Sequence, residues 1–275
     1  MNENVQNSFL VPPVGHPATR SNRDSAGQAA RPASIENSLL AAIPRKEYRR
    51  LLAGLEPVML TFGEILYEPG DTIRHVYFPN KSLVSLLTLA DGHLALEVGL
   101  IGRDGMVGIP LVLGHDLSSV RALVQGSGTA LRMASAHFLK EFQLSQPLQY
   151  ELHRYTHALM AQISQTAACN RFHVVEARLA RWLLMTHDRV KSAEFRMTHE
   201  FLGHMLGVRR VGVTKAAQAL QERKLISYSR GDITVLDRRG LEAAACQCYE
   251  VVKDMHDGAQ AGHAMRQMRV SAAAT

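Results

Sequence analysis

One stretch constrains this chain more than any other: Met197–Leu225, MTHEFLGHMLGVRRVGVTKAAQALQERKL. Phe201, Leu202, Met205 and Leu206 recur at the i, i+3, i+4 spacing of a buried helical face. Gly207 follows, where a helix terminus needs a residue able to take positive φ. Val213, Ala216, Ala217 and Leu220 then repeat the apolar spacing. At about 100° per residue the opposite face shows Val211, Lys215, Gln218 and Glu222, flanked by Arg210 and Thr214. Thr198 stands where an N-cap would start the first helix. Two short helices joined by a tight glycine turn predict a helix-turn-helix.

The second helix begins at Arg209-Arg210 and turns hydrogen-bonding side chains outward, with charge for phosphates and forked donors for purine edges. A helical hairpin inside an ordinary core would share the periodicity, so the flanking sequence matters. Leu225–Ser229 alternates as a strand, Arg230-Gly231-Asp232 is a turn, and Ile233–Leu236 alternates again. A helix-turn-helix followed at once by a hairpin predicts a winged helix. Between Arg196 and Arg239 there are nine Lys/Arg against four acids (Glu200, Glu222, Asp232, Asp237), while the whole chain carries only +6. So local an excess is the footprint of a phosphate-binding surface.

The block from Met197 to Leu241 closely resembles the C-terminal winged helix of the Crp/Fnr superfamily of bacterial transcription regulators. The order of parts resembles it too, over roughly Ile35–Tyr249. The resemblance implies an α+β chain: an eight-stranded, double-stranded β-helix (jelly roll) of cyclic-nucleotide-binding type, a long dimerisation helix, and a C-terminal winged helix-turn-helix. It also implies double-stranded DNA as partner. Arg210 and Lys215 match the positions where the family's recognition helix reads guanines. Val211 stands where relatives often carry a glutamate, and valine offers only an apolar contact. Arg209, Thr214 and Gln218 are expected at phosphates or the periphery, and Arg230 at the wing tip on backbone. Lys224 is expected to serve the negative end of the recognition helix.

Residues 1–34 are rich in Asn, Ser, Pro, Ala and Arg and read as a disordered leader. From Ile35 a helical segment is interrupted at Pro44. From Pro57 the period changes to two, and strands are expected at Val58–Thr61, Glu64–Tyr67, Arg74–Phe78, Leu83–Leu89, Leu94–Leu100, Arg121–Val124 and Thr129–Met133. The sensory roll is placed at 35–135, the dimerisation helix region at 136–170, the winged helix at 171–249, and a helical end with a flexible tail at 250–275. Leu148, Leu152, Tyr155, Leu159 and Ile163 supply a heptad-like seam; a helix packed on its own roll would show the same stripe. In the family the matching helix pairs with its twin, so a homodimer is expected.

Relatives that bind cyclic nucleotides use a glutamate for the ribose hydroxyl and an arginine for the phosphate. Here Ile109 stands in the glutamate's place and Val120 in the arginine's, with Arg121 displaced by one residue, which on a strand turns the side chain over. Some other effector, or none, is expected in place of a cyclic nucleotide. Arg103, Arg121 and Arg132 could line an anionic pocket or simply be solvated. No cofactor or metal site is expected. The chain has three cysteines, Cys169, Cys246 and Cys248, none in the N-terminal part where iron–sulfur members hold their cluster. Among thirteen histidines, the four-residue spacings His153/His157 and Cys169/His173 read as chance, and Cys246-Gln247-Cys248 as incidental. His93 and Glu97 lack the second histidine a cupin-type metal enzyme needs, and no hydrolase elbow, phosphate loop or HExxH helix occurs. The chain is therefore read as a cytoplasmic non-enzyme with no membrane span. An effector-binding or protein-interaction module that does not read DNA is the alternative. An activator would also touch RNA polymerase, and no local pattern marks such a surface.

Overall fold

A computed structural model describes residues 35–90, 94–190 and 194–258. The leader at 1–34, His93 and the end of the expected tail lie outside the described residues. From Glu36 onward the described residues pack as one compact unit. Two short helices, α1 (Ser38–Ala41) and α2 (Arg45–Leu52), precede the roll, separated at Pro44. Seven strands follow among the described residues: β1 (Glu56–Leu60), β2 (Ile65–Tyr67), β3 (His75–Pro79), β4 (Leu83–Ala90), β5 (Leu94–Ile101), β6 (Arg121–Gly126) and β7 (Gly128–Ala134). They form two antiparallel sheets, β1-β7-β3 and β2-β6-β4-β5. Each coincides with an expected strand to within about two residues at either end, the usual uncertainty of a boundary.

Leu83–Leu87 is buried throughout. A strand covered on both faces reads as a continuous apolar run rather than an alternation. Its second cover is the C-terminal half of the chain: Leu83, Leu87 and Leu100 share a core cluster with Trp182, Leu183, Leu202 and Leu220. In the chain the sheets are joined to that half by α3 (Ser135–Leu144) and the long α4 (Gln146–Phe172), whose first turn is capped by Ser145 and carries Pro147, where a missing N–H costs nothing.

The winged helix comprises α5 (Val175–Val190), β8 (Glu194–Arg196), α6 (His199–Leu206), α7 (Arg210–Glu222), β9 (Ile226–Ser229), β10 (Asp232–Val235) and α8 (Arg238–Ala244). Its sheet has the order β8-β10-β9. The two-strand wing expected from sequence thus gains β8, pairing Arg196 with Asp232. A helical segment over 248–258 follows. Among the described residues no helix is long and apolar enough to cross a membrane.

One expectation is corrected. Leu148, Leu152, Tyr155 and Leu159 are buried within their own chain, and Ile163 is half-buried. The apolar stripe of α4 packs inward: the Tyr155 ring lies so close to Gly105 that a Cβ there would sit 2.2 Å from its hydroxyl. Apolarity drives that face into the nearest core, which is the roll, so these residues do not form a seam on the surface. The face turned outward carries Tyr150, His153, His157, Met160, Ser164 and Ala167 instead, with Met160 60% exposed.

Candidate nucleic-acid interface

The Thr198 side chain accepts a hydrogen bond from the Phe201 N–H and starts α6, as its position suggested. Gly207 ends it at φ 60°, with the Gly207 and Val208 N–H groups returning to the His204 and Gly203 carbonyls. That is a Schellman termination, which uses up carbonyls the helix leaves open and turns the chain sharply. The turn is tight: a Cβ on Gly203 would come 2.9 Å from the Val208 carbonyl oxygen, so glycine is needed there for backbone to pass backbone.

On α7 the division of faces follows the periodicity. Val213, Ala216, Ala217 and Leu220 are buried, while Arg209, Arg210, Val211, Thr214, Lys215 and Gln218 are exposed. Val211 is 59% exposed. Gln218 Nε2 donates to Glu222 Oε1 at 3.0 Å. Thr214 Oγ1 lies 3.1 Å from the Arg210 carbonyl and 3.0 Å from His199 Nδ1. The hydroxyl donates to the carbonyl, so the ring nitrogen donates to the hydroxyl and His199 carries a proton on Nδ1. Burial, and secondarily the Arg210 charge, hold that imidazole's pKa below its usual value. The His199 ring stacks on Tyr228 of β9 at 4.2 Å between centroids, and the Tyr228 hydroxyl donates to the Met197 carbonyl at 3.2 Å. Sequence reasoning missed this strut between both helices and the wing, since nothing local pairs His199 with Tyr228.

The cations of the basic stretch divide into two sets. Arg223 is paired with Glu176 at 2.9 Å, and Arg196 stands 3.9 Å from Asp232. Arg238 reaches Asp188 at 2.7 Å, Glu242 at 3.0 Å and the Tyr249 hydroxyl at 2.7 Å, clamping α8 to α5. Arg209, Arg210, Lys215 and Arg230 have no acidic partner among the described residues. Arg230 occupies the wing tip at φ 51°, next to Gly231 at φ 93°. Lys224 just past α7 and Arg239 on α8 also lack an acidic partner among the described residues, but four of the six unpaired cations lie on or at the start of α7 and at the wing tip, as a surface that meets a polyanion requires.

In the roll, Ile109 is buried in a short 3₁₀ turn, Ile109–Leu113, and Val120 is half-buried. Arg121 is held by Glu68 at 2.8 Å and Arg132 by Glu56 at 2.8 Å. Arg103 lines a cavity of about 330 Å³ with Asp104, Arg189, Lys253 and His256, at the junction of the roll and the closing helical segment. There Arg189 pairs with Asp104 at 2.9 Å, both largely buried. Nearby, Glu97 of β5 accepts from Trp182 Nε1 at 2.8 Å and meets Ser85 Oγ at 2.7 Å. Burial pushes its pKa up to about 7, against the lowering effect of those hydrogen bonds. A protonated Glu97 can donate to Ser85, whose hydroxyl then donates to Gln125 Oε1.

Residues 177–244 match the Crp-like helix-turn-helix domain. No curated protein matches the chain. Among solved structures it is similar to FixK2 from Bradyrhizobium japonicum, at 13% identity and a TM-score of 0.61, covering 70% of this chain and 98% of that one. It is also similar to CLP, the c-di-GMP-responsive global regulator of Xanthomonas campestris, at 17% identity and a TM-score of 0.58, covering 70% and 99%. A third is a CRP-family transcriptional regulator from Thermus thermophilus, at 18% identity and a TM-score of 0.57, covering 68% and 96%. The chain therefore has the fold of the Crp/Fnr regulators and carries their Crp-like helix-turn-helix domain over residues 177–244.

Proposed function

We propose that this chain is a sequence-specific transcription regulator whose α7 enters the DNA major groove. The observation that carries the reading is the outward face of α7, where Arg210 and Lys215 are exposed and unpaired beside Arg209 and Val211. Arg210 and Lys215 read base edges; Val211 offers an apolar contact, suited to a thymine methyl. Arg209, Thr214, Gln218 and Arg230 hold backbone or the periphery. Thr214 is already engaged by His199, so its part is to set the angle of α7 as much as to touch DNA.

The protein acts as a homodimer on a pseudo-palindrome, with two recognition helices about 34 Å apart. The exposed 3,4-spaced stripe of α4, from Tyr150 through Met160 to Ala167, is the seam, its small residues at Ser164 and Ala167 allowing close approach. The effector is not a cyclic nucleotide, since Ile109 and Val120 supply neither ligand and Arg121 is tied to Glu68.

Selection from a random duplex library, with and without cyclic AMP at two salt concentrations, tests this reading. A two-fold symmetric motif unchanged by the nucleotide is the expected result. A motif that requires cyclic AMP would overturn the reading of the roll, and no motif at either salt would overturn DNA reading itself.

A further inference from the structure

Three cysteines and a histidine far apart in the sequence converge at the base of the winged helix. Cys169 and His173 lie one turn apart, at the end of α4 and its C-cap. Cys246 and Cys248 follow α8, Cys246 lying 77 positions beyond Cys169. Cys169 Sγ and Cys246 Sγ are 3.4 Å apart, as are Cys248 Sγ and His173 Nδ1. All four ligand atoms lie within 4.8 Å of one another. The thiols are buried, and His173 is the most open of the set.

We propose that Cys169, His173, Cys246 and Cys248 hold one zinc ion in a tetrahedral Cys₃His site. Zinc–sulfur bonds of about 2.3 Å and zinc–nitrogen bonds of about 2.0–2.1 Å put tetrahedral ligands roughly 3.5–3.8 Å apart. The two close pairs already stand near that spacing, and the longest separation needs to contract by about an ångström. Three soft thiolates with one imidazole form a closed structural zinc set, with no position left for water or substrate. An iron–sulfur cluster interposes its own sulfides and needs a wider shell. A Cys169–Cys246 disulfide would account for two of the groups and leave Cys248 and His173 facing each other without a role.

The surroundings suit an anionic site. Gln165 Nε2 donates to Cys248 Sγ at 3.1 Å, the kind of outer hydrogen bond that orients a metal ligand. Three thiolates around a divalent ion leave one net negative charge, and Arg181, held by Thr166 at 2.7 Å, lies where it offsets it. The ion would fasten the end of α4 to the segment after α8, and so close the winged helix on the helix that leads into it.

The test uses the full chain, reduced and purified without a histidine tag. Elemental analysis is expected to find one zinc per chain. After removal of zinc by a chelator under reductant, titration with Co²⁺ should produce the visible bands of tetrahedral cobalt with a thiolate charge-transfer band. Cys248→Ser should change those bands, and His173→Ala, a change at the surface, should weaken Co²⁺ binding by at least about tenfold. The proposal fails if the folded, reduced wild-type chain carries no zinc and gives no such bands. It fails equally if bound metal is indifferent to both substitutions, or if iron and an iron–sulfur absorbance take zinc's place. A Cys169–Cys246 disulfide in protein prepared without oxygen would also sink it.

Discussion

The outer face of α7 and the roll with its flank carry the same kinds of residue with opposite consequences. On α7 the cations Arg210 and Lys215 project into solvent with no acidic partner among the described residues. In and beside the roll, Arg121, Arg132 and Arg189 are each held by a carboxylate, Glu68, Glu56 and Asp104. An anionic ligand meeting α7 gains hydrogen bonds at once. One meeting the roll must first break ion pairs that already exist. Whether a charge is engaged therefore separates a residue that serves the fold from one that serves a partner, and substitutions can test that division directly.

The largest effect is expected at Arg189. Replacing it with alanine leaves Asp104 buried without its countercharge, and breaking a buried pair costs about 3–5 kcal/mol. Denaturant unfolding should show that loss, while the DNA affinity of the protein that remains folded should hold. Glu97→Gln comes next and acts through pH. The folded-state pKa of about 7 stands above the ordinary 4.5, so between those values the folded chain keeps a proton the unfolded chain has released. Stability from this group is full below about pH 4.5 and is lost as pH rises through 7, on the order of 3 kcal/mol in all. Glutamine can still donate to Ser85 and accept from Trp182, so the variant should lack that decline; an unchanged pH profile would show that Glu97 is ionised throughout. Arg210→Ala inverts the pattern. Stability should stay within about 0.5 kcal/mol, while binding falls by roughly 1–3 kcal/mol, concentrated at one base pair of each half-site. A uniform loss over all sequences would make Arg210 a phosphate contact.

What could be read from the sequence, and what could not, follows the range of the forces involved. Thr198, Gly207 and the buried face of α7 are set by residues within a turn or two, and all stand where local chemistry put them. The roll's strands were visible because alternation is local as well. The stripe on α4 was visible as apolar, but apolarity says that a face is covered, not by what. Two stripes with the same 3,4 spacing run along that helix, and the richer one, through Leu152 and Leu159, is taken by the chain's own core. The Cys/His cluster was illegible for another reason. Its two halves meet only after the whole winged helix has closed between them, so each pair alone looked incidental. β8 was missed because three residues are too short to show a period.

Lys224 gives the smallest effect and the sharpest use of the comparison. It sits just past α7 at φ 57°, a left-handed conformation that costs a side chain energy and glycine almost none. The Lys224 and Leu225 N–H groups bond back to the Gln221 and Leu220 carbonyls, so its backbone closes α7 in the same Schellman arrangement that Gly207 makes for α6. Its side chain has no acidic partner among the described residues, which by charge alone would place it with the DNA contacts. Its backbone places it with the fold. Lys224→Gly separates the two roles: stability should rise by up to about 1 kcal/mol, because relief of strain exceeds the entropy glycine adds to the unfolded chain. If the ammonium only complements the end of the helix, DNA affinity and its salt dependence should stay as they are. A salt slope lower by about one would instead mean that Lys224 neutralises a phosphate and that the reading surface extends to the far end of α7.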